Sequence, residues 1–189
     1  MPELVLASAS PRRSELLSQI GIVPDVIEAA DLEETANPGE MPRAHAARLA
    51  KEKAKFISAK YPNAWVLGAD TVVACGRRIL PKAENVDTAK ACLEILSGRR
   101  HRVYGGITVV RPNGRITPRM VETRVRFKRL EHTEIEAYLT SEEWRGKAGG
   151  YAIQGRAAAF VADLNGSYSN VVGLALFEAS ALLREHWSI

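Results

Sequence analysis

Histidine and cysteine are scarce in this chain of 189 residues, which holds four of the first and two of the second. His45, His101, His132 and His186 have neither zinc-ligand spacing nor a cysteine partner. Cys75 and Cys92 read as reduced packing residues rather than a disulfide framework. No apolar run approaches the ~18 residues of a membrane span, and the opening Met1-Pro2-Glu3-Leu4 lacks a basic flank and a cleavage site. The expectation is therefore a cytoplasmic protein with no membrane partner. No G-x-x-x-x-G-K-[ST] is present, because Lys147 follows Gly146 but is followed by Ala148. A G-x-G-x-x-G after a strand and a G-x-S-x-G elbow are missing as well. These absences argue against zinc chemistry, P-loop phosphoryl transfer and covalent serine catalysis.

What is present is an ordinary globular composition, 46% hydrophobic and 25% charged, without repeats, linkers or low-complexity tracts. The length suits one domain over residues 1–189, with room for two lobes sharing a cleft. Lysine and arginine number 26 against 22 acids, a net charge of +4. A basic excess suits nucleic acid, a membrane surface or a small polyanion. The densest runs are Arg99-Arg100-His101-Arg102 and Arg124-Val125-Arg126-Phe127-Lys128-Arg129. The second alternates like a strand with one wet face, so both read as solvated faces rather than a nucleic-acid groove.

The periodicity predicts a buried strand at Leu4–Ala7, then a helix with Ser10 as N-cap, Pro11 in its first turn and Gly21 closing it. A second strand is expected over Asp25–Ala29. Pro42–Lys60 is strongly helical, with Ala46, Leu49, Ala50, Lys53, Ala54 and Ile57 on one face. Trp65–Val73 reads as a central strand interrupted by Asp70. A helix is expected over Asp87–Leu96. Strands Val103–Val110 and Met120–Leu130 should pair around Pro112-Asn113-Gly114. Thr133 is expected to cap a helix through Leu139, and Gly146–Gly150 to form a loop. A strand near Phe160-Val161 and a last helix over Val171–His186, carrying Leu174, Phe177, Leu182 and Leu183, complete the reading. The mixed order implies an α/β fold with a partly antiparallel sheet.

Four features carry chemistry. A strand running straight into a helix at Ser8-Ala9-Ser10-Pro11-Arg12-Arg13 directs backbone N–H groups outward, a ready anion site. The hydroxyls of Ser8 and Ser10 and the forks of Arg12 and Arg13 suit phosphate oxygens. The alternative is an ordinary capped helix with exposed arginines. Asp70 within an apolar strand is costly to desolvate, so it is either a general base or metal ligand, or a structural acid at a strand end. Gly68, two residues earlier, lets something approach that strand. Lys53 and Lys82 are candidate partners for Asp70 and for a phosphate chain, or lysines that snorkel to the surface. Glu33 and Glu34 offer hard oxygen ligands for magnesium, or merely form an acidic loop.

Taken in order along the chain, these segments resemble the Maf family of nucleoside triphosphate pyrophosphatases. The resemblance rests on Leu6–Leu17, Leu49–Ala54, Gly68-Ala69-Asp70-Thr71-Val72-Val73, Gly149-Gly150-Tyr151-Ala152-Ile153-Gln154-Gly155 and Gly166–Leu174. It implies a two-lobed mixed-sheet α/β fold similar to inosine triphosphatases, with the active-site cleft between lobes. It further implies cleavage of the α–β phosphoanhydride of a nucleoside triphosphate, giving monophosphate and pyrophosphate, with Mg²⁺ or Mn²⁺.

Carried over onto this chain, Asp70 matches the proton acceptor, and Ser8, Arg12, Arg13, Lys53 and Lys82 match phosphate-handling positions. Glu34 matches an acidic site residue, with Asp70 and Glu34 as metal ligands, while Arg12, Thr71 and Gln154 match positions tied to substrate choice. Gln154 suits uracil or thymine, because one amide can donate to O4 and accept from N3–H. The Tyr-Ala-Ile-Gln-Gly segment resembles the dTTP and UTP branch; the other branch acts on 7-methyl-GTP. A homodimer is implied too, and the alternative function is a regulatory binding protein that inhibits septum formation. The chain departs from the family pattern at Ala83, Ala175 and Tyr104-Gly105-Gly106.

Overall fold

The structure, a computed structural model, describes residues 3–185. A twisted sheet forms its backbone, with strands ordered β2 (Val26–Ile27), β1 (Leu4–Ala7), β3 (Trp65–Cys75), β6 (Arg100–Val110), β7 (Ile116–Phe127) and β9 (Val161–Asn165). β1 pairs in parallel with β2 and β3, and every other ladder is antiparallel. β4 (Arg78–Leu80) folds back on the end of β3, while β5 (Lys82–Ala83) and β8 (Lys147–Ala148) make a separate two-stranded ribbon. The helices are α1 (Pro11–Gln19), α2 (Pro42–Ser58), α3 (Val86–Leu96), α4 (His132–Thr140), α5 (Tyr168–Val172) and α6 (Leu176–Leu183). The mixed α/β class expected from the pattern is the class observed.

β1 is buried at every position, as its continuous apolar run requires. α2 buries Ala46, Leu49, Ala50, Ala54 and Ile57 against the sheet, and Lys53 lies on that same face. The helix packs close because glycines clear its path. A Cβ on Gly68 would stand 2.5 Å from the Ala50 carbonyl oxygen, and one on Gly106 would stand 2.3 Å from that of Ala46. What approaches the strand at Gly68 is thus the backbone of α2. In β7, Val125 and Phe127 are buried while Arg124 and Arg126 are exposed, the one-wet-face strand the alternation predicts.

Several boundaries differ. β2 is only two residues long, α2 stops at Ser58, β6 starts earlier than expected at Arg100, and β7 is shifted toward the hairpin, running Ile116–Phe127. Ser10 stands at the N-cap of α1 but its side chain makes no capping bond. The Ser8 hydroxyl accepts from the N–H of Ser10 itself at 3.1 Å, while the Ser10 hydroxyl is buried and no described residue bonds to it. Glu131, not Thr133, is the N-cap of α4, which starts at His132 with Thr133 inside it, and the Glu134 carboxylate accepts from the Glu131 N–H at 3.0 Å. The stretch 146–150 includes β8, whose backbone zips to β5.

The last helix is two. α5 ends at Gly173, whose φ of +150° is open to glycine and strained for other residues, and α6 starts three residues later. Leu174, Leu182 and Leu183 are buried as expected, but Phe177 is 81% exposed because it lies on the face of α6 opposite Ala179, Leu182 and Leu183. The expected end at His186 lies outside the described residues.

Apolar side chains gather in three groups. One lies under α3, α4 and β9, and includes Trp144, Tyr138, Tyr151 and Phe127. A second joins α1 and α6 to the opposite half of the sheet through Leu4, Leu6, Trp65 and Leu67, and a third packs α2 on β1 and β3. Among the described residues no helix is long and apolar enough to cross a membrane.

Candidate active site

The end of β1, the first turn of α1, the middle of β3 and the β5–β8 ribbon surround a cleft of about 480 Å³. Ser8, Ser10, Arg12, Arg13, Glu34, Lys53, Asp70, Thr71, Lys82 and Gln154 all line it. Ten residues chosen for their chemistry, spread over some 150 positions, therefore meet in one hollow. Glu33 does not join them: its carboxylate accepts from the Thr35 hydroxyl on the surface.

Asp70 is 4% exposed, in the middle of β3. Its Oδ1 accepts from the Lys53 ammonium at 2.6 Å. A cation thus stands directly against the buried carboxylate, offsetting part of its desolvation cost. Lys53 supplies the one side-chain hydrogen bond that a described residue makes to the Asp70 carboxylate. Lys53 does not snorkel; the same ammonium also contacts Glu34, and Glu34 in turn holds Lys82. The resulting chain runs Asp70–Lys53–Glu34–Lys82 across the floor of the cleft. Burial pushes the Glu34 carboxyl up, but its bonds to Lys53 and Lys82 outweigh this and hold it at about 2. Glu34 is thus anionic at any physiological pH.

The serine–arginine turn is partly internal. Arg13 is 8% exposed and donates to the Gly173 carbonyl at 2.9 Å, to the Ser8 hydroxyl at 2.8 Å and to the Thr71 hydroxyl at 3.2 Å. It locks α1 to β3 and to the break after α5. Arg12 donates once, to the Val172 carbonyl at 3.2 Å. The helix-breaking geometry at Gly173 thus supplies carbonyl acceptors for two arginines that oppose the dipole of α1. Gln154 is exposed on the cleft wall, with no hydrogen-bond partner among the described residues.

Three cleft residues escaped the sequence reading: Glu84, Arg145 and Lys147. Lys147 had appeared only as a failed P-loop lysine. The signal that it belongs here is the pairing of β8 with β5, which no local pattern announces. In all, six cationic and three anionic side chains line the cleft, an excess of three positive charges. A second hollow of about 260 Å³ shares Glu34, Asp70, Thr71 and Lys82 and extends toward His45, Leu49 and Ile79.

Asp70 and Glu34 form a hard-oxygen pair already converging on one positive charge, which fits a divalent cation. Among the described residues no third acid, histidine or cysteine completes a cluster with them. Such a cation would take its remaining ligands from water and phosphate oxygens, as magnesium in nucleotide sites commonly does.

The profile of the Maf-like protein family matches residues 3–186. The chain belongs to the Maf family. Within it, a protein of Rhodospirillum rubrum named dTTP/UTP pyrophosphatase is 64% identical over 180 residues, covering 95% of this chain and 86% of that one. A protein of the same name from Paramagnetospirillum magneticum is 61% identical, over 97% and 96% of the two chains. One from Caulobacter vibrioides, also so named, is 55% identical over 96% and 94%. Among solved structures, a HAM1 protein from Coxiella burnetii superposes with a TM-score of 0.52 at 18% identity, covering 98% of this chain and all of that one. That likeness concerns the fold alone.

Proposed function

We propose that this Maf chain hydrolyses dTTP and UTP, or modified pyrimidine counterparts, to the nucleoside monophosphate and pyrophosphate. The observation that carries the reading is a buried, lysine-bound carboxylate, Asp70, at the floor of a cleft rich in positive charge. Relatives named dTTP/UTP pyrophosphatase, 55 to 64% identical over nearly the whole chain, support it.

In this reading the substrate lies with its phosphates toward the Ser8–Arg13 turn, Lys53 and Lys82. The Asp70 carboxylate takes a proton from water as the water oxygen bonds to the α-phosphorus. The bond from that phosphorus to the bridging oxygen breaks, and the pyrophosphate leaves with the electron pair. Charge growing on the leaving group is met by fixed cations already oriented in a partly desolvated site, the most effective kind of transition-state stabilisation. Lys53 holds Asp70 in place through its hydrogen bond to Oδ1. Arg13 positions Ser8 and Thr71. Gln154 offers its amide to O4 and N3–H of a pyrimidine. A divalent cation, Mg²⁺ or Mn²⁺, held by Asp70 and Glu34 would supply Lewis acidity and offset phosphate charge.

Asp70→Asn tests this directly, because it keeps the shape and removes the base. Pyrophosphate release from dTTP and UTP should fall by ~10²–10⁴-fold with the fold intact by circular dichroism. Undiminished release in that variant would remove Asp70 from the reaction.

A further inference from the structure

Lys147 lines the cleft outside the hydrolytic floor described above and, unlike Arg145, forms no ion pair with a described residue. We infer that Lys147 and Arg12 form a two-sided clamp on the polyphosphate chain of the substrate, which makes Lys147 a substrate-binding residue. The inference rests on the nucleotide reading of this cleft and says which further residue holds the phosphates.

The argument is one of charges left over. Lys53 and Lys82 are neutralised by Asp70 and Glu34, and Arg145 pairs with Glu142 at 2.6 Å while lying over the Trp144 ring. Arg13 has three donors engaged inside the protein. Only Arg12 and Lys147 remain among the six cations. Among the described residues neither has a carboxylate within 4.0 Å; Arg12 holds the Val172 carbonyl, and Lys147 holds the Arg145 carbonyl at 2.9 Å. Both are partly desolvated, and burial lowers the proton affinity of each. Arg12 lowers that of Lys147 further. Glu143 acts the other way, though its carboxylate is already engaged by the Arg156 N–H at 2.7 Å.

A lysine with a free stem would relieve such repulsion by swinging into water. Lys147 is held in the cleft instead. Its strand pairs with β5, and the N–H groups of Gly146 and Gly149 bond to the carbonyls of Ala83 and Pro81 at 2.9 and 3.0 Å. Two cations that line one hollow, neither of them in an ion pair with a described residue, are complementary to an anion placed between them. A phosphate chain offers several oxygens to both at once, and charge-assisted bonds of this kind are the strong ones.

The test uses inorganic tripolyphosphate as the probe, followed by calorimetry, with UMP as the control. Lys147→Met should weaken tripolyphosphate binding by ~10-fold or more. UMP binding should change by less than about twofold, and Lys147→Arg should retain most of the affinity. Arg12→Met should act in the same way, and the double variant should lose less than the product of the single losses. With dTTP the Lys147→Met loss should appear mainly in KM. Unchanged tripolyphosphate binding in a folded Lys147→Met, an equal loss for UMP, or no binding to the unaltered protein would each overturn the clamp. Tripolyphosphate binding that depends on Lys147 without pyrophosphate release from any nucleotide would uphold the clamp and overturn the proposed activity.

Discussion

His101 stands 2% exposed behind the cleft wall, with Nε2 2.8 Å from the Tyr151 hydroxyl and no partner for Nδ1. Phe127 and Tyr151 pack edge-on against its ring. No carboxylate compensates a charge there, so burial pushes the imidazole down to about 4. The unfolded chain binds this proton near 6.5 and the folded one does not, so the contribution of His101 to stability is complete above 6.5. It is lost as pH falls from 6.5 toward 4, up to about 3 kcal/mol in all. Glu34 and Glu40 sit at about 2 when folded, so their contributions are lost only as pH falls below 4.5. The two windows separate the causes. Urea midpoints measured between pH 7 and 5 should decline in the unaltered protein and stay nearly level in His101→Phe. Parallel declines in both would show that another group titrates. Of the individual side chains, Asp70 and Lys53 were legible in the sequence because a charge in an apolar run contradicts its surroundings. Ser10 stands at the N-cap as its sequence position predicts, but whether its hydroxyl closes on the first-turn amides is settled by backbone and rotamer geometry that the sequence does not show.

α2 connects packing to chemistry. Its backbone rests on Gly68 and Gly106, and the same close approach brings Lys53 within 2.6 Å of Asp70. Gly68→Ala would drive a methyl carbon to 2.5 Å from a helix carbonyl and 2.7 Å from the Ala54 nitrogen, rigid atoms that cannot turn aside. The helix must lift. We expect a destabilisation of about 1–3 kcal/mol, the usual range for overpacking. Because Lys53 rides on α2, turnover should fall more than the fraction of unfolded protein explains. A variant with lowered stability but full activity would show that the lysine reaches Asp70 whatever the helix does. α2 and the core of β3 could be read from periodicity alone, since each repeats one burial pattern over more than two turns or five residues. The division of the last helix could not, because a conformation of +150° at Gly173 is imposed by tertiary contacts; its carbonyl serves Arg13, 160 positions away. β8 was hidden for a similar reason, as its two residues become a strand only through a partner far along the chain.

At the scale of the molecule, the cleft lies where separate apolar cores meet, and the long strands run through them. β3 contributes Leu67 and Ala69 to one core and Val73 to another, with Asp70 between; β6 contributes Ile107 and Val109 to the first and Val103 to the second. Pulling these cores apart would break the β3–β6 ladder at the residues that carry the charge network. The two halves should therefore unfold together, which would make residues 3–185 one cooperative unit despite the cleft. Tryptophans report on each half separately, since Trp65 belongs to the core around α1 and α6 and Trp144 to the core under α3 and α4. With Trp187 replaced by phenylalanine, variants that retain only Trp65 or only Trp144 should give urea transitions of the same slope, each coinciding with the loss of helical circular dichroism in the same variant. Fluorescence that departs from that loss in either variant, or a plateau between two phases, would mean that the lobes fold independently. Asp70 would then owe its geometry to a hinge rather than to a continuous sheet, and its distance from the Ser8–Arg13 turn would vary with hinge motion instead of being set by the ladder.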